Sequence, residues 1–115
     1  MQKIQGSQME LIIPAATIPP VTANLPSSVS TPVKIDVSGD KVAGVYIILA
    51  GDAWVTHADT DAIGLSNMAA KLALRQGAGT LVISVGQISS SYLYIRSQSS
   101  AVTDGVSYQL LEFAR

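Results

Sequence analysis

All five prolines of this 115-residue chain stand between Pro14 and Pro32, and none follows. Proline fixes φ at about −65°, lacks a backbone donor and pushes the preceding residue toward extended geometry. Pro14 to Thr31 therefore has to run extended, and it separates an N-terminal arm, residues 1–32, from a proline-free body, residues 33–115. Leu11 to Val33 also contains no charged residue, which matches the length of a bilayer span of about 20 residues. The content does not match: the prolines, with Thr17, Thr22, Asn24, Ser27, Ser28, Ser30 and Thr31, would break and wet a membrane helix repeatedly. No membrane partner is expected. Yet Ile12, Ile13, Ile18, Val21, Leu25 and Val29 recur along the arm, more branched aliphatics than a solvated linker carries. These six are expected to bind a partner, each arm covering a neighbouring subunit.

The body reads as short strands separated by turn signals. Val33 to Val37 alternates at period two, with Lys34 and Asp36 on the polar face, and ends at Ser38-Gly39-Asp40. Val45 to Leu49 is apolar at every position, the pattern of a strand covered on both sides. Ala50-Gly51-Asp52 turns the chain into Ala53 to His57. Further strands are expected at Lys71 to Arg75, Thr80 to Val85, Tyr92 to Arg96 and Val106 to Phe113, the last two joined by a loop ending in Asp104-Gly105. Six or seven strands at spacings of about ten residues predict an all-β fold, an antiparallel β-sandwich or small barrel, carrying the extended proline-rich N-terminal arm. Its core is expected to hold Ile35, Val37, Ile47, Leu49, Val55, Leu72, Leu74, Leu81, Ile83, Val85, Leu93, Ile95, Val106, Tyr108 and Leu110. Between Asp59 and Gln76, Ile63, Met68, Leu72 and Arg75 could lie along a longer helix with Ser66 as its N-cap, but Gly64 and Ser66-Asn67 interrupt it. A loop with one helical turn is expected at Asp59 to Ala70, with the strand starting at Lys71.

Composition narrows the chemistry. There is no cysteine, so disulfides, thiolate metal sites and a thiol nucleophile are absent. Seven Lys and Arg against eight Asp and Glu make no basic field for nucleic acid. Charged residues are 13% of the chain, about half the usual share, as expected where subunit interfaces cover part of the surface. Met1 to Glu10 mixes charges and lacks an apolar signal core, so synthesis and assembly in a cytoplasm are expected.

His57 is the single histidine and stands two residues from Asp59 and four from Asp61. On a continuous strand all three would share a face and could hold a metal or work as acid and base. Without a second histidine or a cysteine no transition-metal shell can be completed, and a solvated turn is the simpler reading. Asp52, Asp59 and Asp61 could make a weak calcium site, though without an EF-hand pattern. Fourteen serines include no Gly-x-Ser-x-Gly or Ser-x-x-Lys signature and flank the expected strands as turn formers. Gly77-Ala78-Gly79 lacks the rest of any phosphate loop. No catalytic, cofactor or metal residue is assigned, and the chain is expected not to be an enzyme. Tyr46, Trp54, Tyr92, Tyr94 and Tyr108 are expected to pack across strands, with a carbohydrate-binding face as the rival use.

From Trp54 to Phe113 the order Ala53-Trp54-Val55-Thr56, Gly77-Ala78-Gly79-Thr80, Gly86, Tyr92 to Ser97 and Asp104 to Tyr108 resembles the small β-sandwich modules of tailed-bacteriophage virion proteins. That resemblance covers about half the chain. It implies a non-enzymatic capsid decoration (cement) protein, or a tail or head–tail component. The implied unit is a homo-oligomer, most simply a trimer, bound to a major capsid or tail protein.

Overall fold

The structure, a computed structural model of the chain, describes residues 12–14, 20–69, 74–88 and 90–113. These form β1 (Ile12–Pro14), β2 (Val21–Leu25), β3 (Val33–Asp36), β4 (Val42–Leu49), β5 (Ala53–Ala58), α1 (Asp61–Ala69), β6 (Leu74–Gln76), β7 (Gly79–Ser84), a 3-10 turn (Val85–Gln87), β8 (Tyr92–Ser97) and β9 (Val102–Phe113). The strands make two antiparallel sheets packed as a sandwich. In the first, β9 pairs with β4 on one side and with β2 and β1, end to end, on the other, while β7 closes the far side of β4. The second runs β3-β8-β5-β6. No described helix is long and apolar enough to cross a membrane.

Alternation along the strands sends one set of side chains inward. Leu25, Ile35, Val37, Val45, Ile47, Leu49, Leu93, Ile95 and Val106 are each 2% exposed or less and form one cluster between the sheets. Val55, Leu81, Ile83, Val85, Tyr108 and Leu110 pack on its margin. The β-sandwich expectation and most of its core are met.

The described part of the N-terminal arm pairs within the chain's own first sheet. Prolines bracket β2 instead of interrupting it: Pro20 precedes and Pro26 follows, so Val21 to Leu25 keeps every backbone donor and pairs with β9 as Val21↔Tyr108, Thr22↔Ser107, Ala23↔Val106 and Leu25↔Val102. An edge strand tolerates proline at its ends, where no ladder bond is lost. Leu25, expected to face a partner, is fully buried in the chain's own core, and the boundary at 32/33 does not separate arm from sandwich.

Three further expectations are revised. Leu74 is 76% exposed, because the three-residue β6 is the edge of its sheet and carries this side chain past the cover of the first sheet; Leu72 lies outside the described residues. The segment after Asp59 forms a nine-residue helix, not a loop with one turn. Thr60 caps it, its Oγ1 accepting the Ile63 N–H at 3.4 Å and its carbonyl the Gly64 N–H at 3.0 Å. Gly64 is needed there: a Cβ would stand 2.5 Å from the Tyr94 ring, so the glycine that weakens helix propensity lets the helix lie on the sheet.

Asp104-Gly105, expected to close a loop, lies inside β9. Asp104 has φ 50° and donates its N–H to Asn24 Oδ1 at 3.0 Å, while the Gly105 carbonyl accepts the Ala50 N–H at 2.8 Å. The β2–β9 register shifts at this point, between Ala23 and Leu25, which marks a β-bulge. A Cβ on residue 105 would be 2.7 Å from the Leu25 Cβ and 2.8 Å from the Val102 carbonyl. Gly105→Ala is therefore expected to cost about 1–3 kcal/mol, as overpacking does, read as a fall in the urea midpoint with unchanged m-value.

Candidate functional site

Three surfaces carry the side chains the sequence singled out. The first is the end of the sandwich beside His57. Since β5 stops at Ala58, His57, Asp59 and Asp61 do not share a strand face. The His57 Nδ1 lies 2.8 Å from Ser90 Oγ. Asp59 accepts the Ser91 N–H at 2.9 Å and its hydroxyl at 3.4 Å, and Asp61 opens α1. Asp52 sits at the opposite end of β5, about 20 Å along a six-residue strand, and accepts the Ala78 N–H at 3.0 Å. The calcium set is thus dispersed, and no three His, Cys, Asp or Glu side chains gather among the described residues. The cleft at this end, about 530 Å³, is lined by Ser38, Asp40, Asp59, Ser90 and Ser91 with Val37 and Val85 behind them. Its neighbouring acid Asp36 is tied to Ser38, whose hydroxyl donates at 2.6 Å and whose N–H donates at 2.9 Å. Those bonds hold the Asp36 carboxyl below its ordinary pKa.

The second surface is the outer face of the second sheet, where α1 lies. Met68 at 0% exposure, Ala58 at 3% and Tyr94 at 1% form a small separate core under the helix, with Trp54 and Tyr92 half-buried beside it. Tyr94 donates its hydroxyl to Asp61 Oδ1 at 2.8 Å, and the same oxygen meets Lys34 Nζ at 3.0 Å. Lys34 also stands 4.2 Å from the centroid of the Tyr92 ring, which meets Tyr94 edge-on at 6.4 Å. Arg75 covers the Trp54 ring in the same way at 5.3 Å. The hydrogen bonds from Lys34 and then Tyr94 hold the Asp61 carboxyl below its ordinary pKa, and the bond to Asp61 raises that of Lys34. Burial first, then the bond to Asp61, pushes the Tyr94 phenol from 10.0 up to about 12.

A folded-state pKa above the unfolded value means stability that is complete below pH 10 and is lost as the pH rises toward 12. Tyr94→Phe is expected to flatten this alkaline decline in denaturant titrations at pH 9 to 12. A wild-type decline that persists unchanged in the variant would assign it to another group.

The third surface is the outer face of the first sheet, and the sequence did not indicate it. Val45 to Leu49 reads as covered on both sides, yet only the odd-numbered positions are inside. Tyr46 and Ile48 are 36% and 44% exposed, and Val82, paired with Tyr46 across β4 and β7, is 53% exposed. The same rows continue into Gln109 and Ser107 of β9, with Thr80 opposite Ile48. These rows carry no charge. A shallow hollow of about 100 Å³ lies along them, lined by Pro20, Tyr46, Ile48, Ser107, Tyr108 and Gln109. The available signal was parity within β4, since α1 lies on the second sheet and does not cover the even-numbered side of this one.

The arm residues whose side chains the structure describes, Val21, Leu25 and Val29, do not share one surface. Val21 is 42% exposed on β2 and Val29 40% exposed in the following turn, whereas Leu25 is internal. Ile12 and Ile13 belong to β1, where they pair with Phe113 and Glu112, and Ile18 lies outside the described residues. Serines form local bonds of the expected kind, Ser97 Oγ donating to the Ser100 carbonyl at 2.7 Å and accepting the Ser99 N–H at 3.2 Å. In comparisons with known proteins, no family model, no curated protein and no solved structure matches the chain.

Proposed function

We propose that the chain is a non-enzymatic structural protein of a tailed-phage virion, most simply a capsid decoration protein that stabilises the head as a homo-oligomer. The observation that supports this reading best is the uncharged outer face of the first sheet with its exposed Tyr46, Ile48 and Val82. Tyr46, Ile48 and Val82 lie in adjacent rows, and such a patch on a small domain is characteristic of a protein–protein contact. His57, Asp59, Lys34, Asp61 and Tyr94 on the other two surfaces are engaged within the chain, which favours a docking module over a reaction site. A tail or head–tail component would use the same face on a different neighbour. The carbohydrate reading is disfavoured at Tyr92 and Trp54, where Lys34 and Arg75 stand over ring faces that a sugar would need open.

The test is co-sedimentation of the purified chain with intact virions and with separated heads and tails. Ile48→Asp, at a position already open to water, is expected to leave the circular dichroism unchanged. It is expected to weaken particle binding about tenfold or more, tenfold being 1.4 kcal/mol. Retention on particles equal to wild type would remove this face from the contact. Binding to neither heads nor tails would overturn the virion reading.

A further inference from the structure

Among the described residues the β-sandwich is open along one side, and the edge strand there is unlike the other edges. Natural sheets protect their edges with charge, proline, shortness or bulges. Here β2 is flanked by Pro20 and Pro26, β3 carries Lys34 and Asp36, and β6 has only three residues, one of them Arg75. In contrast, β7 is six residues long, has no charge and no proline, and pairs with β4 without a register shift. Among the described residues nothing pairs with its other side. Beside it, between the edges of the two sheets, an apolar cleft of about 280 Å³ opens past Leu74, Leu81, Ile83 and Ile88.

We propose that β7 is a homodimerisation strand, pairing antiparallel with β7 of a second copy about a two-fold axis at Val82. The sequence of the edge selects that occupant. Thr80-Leu81-Val82-Ile83-Ser84 is a palindrome in chemistry, hydroxyl, aliphatic, aliphatic, aliphatic, hydroxyl. Antiparallel partners share a face, so centring the axis on Val82 places Val82 against Val82, Leu81 against Ile83 and Thr80 against Ser84. Each row then continues one already present. On the outer face, Tyr46 and Val82 of one copy run into Val82 and Tyr46 of the other. On the inner face, Ile47 and Leu81 run into Ile83 and Val45. The apolar rows of two sandwiches become continuous, and no like charges meet. Main-chain hydrogen bonds supply the attraction, as in other strand additions, and the side-chain rows fix the register. An isologous contact closes at two copies, so the proposed unit is a dimer, where the resemblance implied a trimer. The pairing rests on the proposed reading only in that copies of the chain meet; it requires no virion.

The absence of cysteine makes the register directly testable. Directly opposed residues in an antiparallel pair have Cα atoms about 4.5–5.5 Å apart, within the span a disulfide bridges. Under mild oxidation, Val82→Cys is expected to convert to a covalent dimer. Ile63→Cys, 53% exposed on α1, is the control and is expected to stay largely uncrosslinked. By sedimentation equilibrium the full chain is expected at about twice 12.0 kDa, and Val82→Lys, which sets two like charges opposite each other at an exposed site, at the single-chain mass with unchanged circular dichroism. A monomeric wild type at about 100 μM, an assembly indifferent to Val82→Lys, or crosslinking of Val82→Cys no faster than the control would each overturn the proposal. These measurements use purified chain alone, so failure to bind particles and failure of this pairing are separate results.

Discussion

Replacing Leu25 with alanine is expected to lower the unfolding free energy by about 2–5 kcal/mol, the range for truncating a fully buried leucine. Against the roughly 5–15 kcal/mol that holds a small domain folded, this is a large fraction. The side chain is 0% exposed and belongs to the main cluster with Ile35, Ile47, Ile95 and Val106. Its Cβ is also the surface against which the Gly105 bulge closes, so the site cannot collapse around the lost volume without moving β9. Deleting residues 1–31 should have a larger effect still. That deletion removes both strands from one side of β9 and leaves its backbone groups from Val102 to Phe113 bare, so the shortened chain is expected to show no cooperative melting transition. Chemical denaturation of Leu25→Ala and thermal scans of the deletion check both. A loss under about 0.5 kcal/mol, or a deletion that melts like the full chain, would mean that β2 does not contribute to the core.

The outcome at Leu25 shows where sequence periodicity loses information. Period-two alternation placed β3, β8 and the inner side of β4 correctly because each has several apolar positions of one parity and a polar or turn signal at its ends. Density of proline dominated the reading of residues 14–32. What decides pairing is position: Pro20 and Pro26 leave a five-residue window free of proline, and its partner, β9, lies some eighty residues further on. No local pattern reports that distance. The same limit applies to the outer faces. Tyr46 and Ile48 resemble core residues in composition, and their exposure depends on which sheet receives α1. The helix lies on β5 and covers Tyr94, so the first sheet is left open. The dispersal of His57, Asp59 and Asp61 followed from one boundary, the end of β5 at Ala58, which spacing alone could not fix. The self-complementary edge at Thr80 to Ser84 was legible as letters, but its meaning required knowing that β7 is last in its sheet.

Tyr94→Ala is the second substitution expected to have a large effect, about 3–5 kcal/mol by analogy with other buried aromatic truncations. Tyr94 is the contact between the helix and the sheet. Its ring is packed so closely beneath Gly64 that a Cβ there would stand 2.5 Å away, and its hydroxyl donates to Asp61 in the first turn of α1. Removing the ring empties the small core shared with Met68 and Ala58 and leaves α1, a nine-residue helix, without its main support. Helices of this length are not stable alone in water, so the loss should appear both in global stability and as faster amide exchange in Asp61 to Met68. Tyr94→Phe separates the two parts of the contact. It keeps the ring and removes one part-buried hydrogen bond, and about 0.5–1.5 kcal/mol is expected. Lys34 would remain on Asp61 at 3.0 Å. Gly64→Ala attacks the same contact from the helix: alanine favours the helix by about 1 kcal/mol over glycine, but the added methyl has no space above a ring held on both sides. Net destabilisation by Gly64→Ala, together with protection lost in α1 and retained in β4 and β9, would establish that close approach sets this position. Net stabilisation would show that the helix stands further from the sheet.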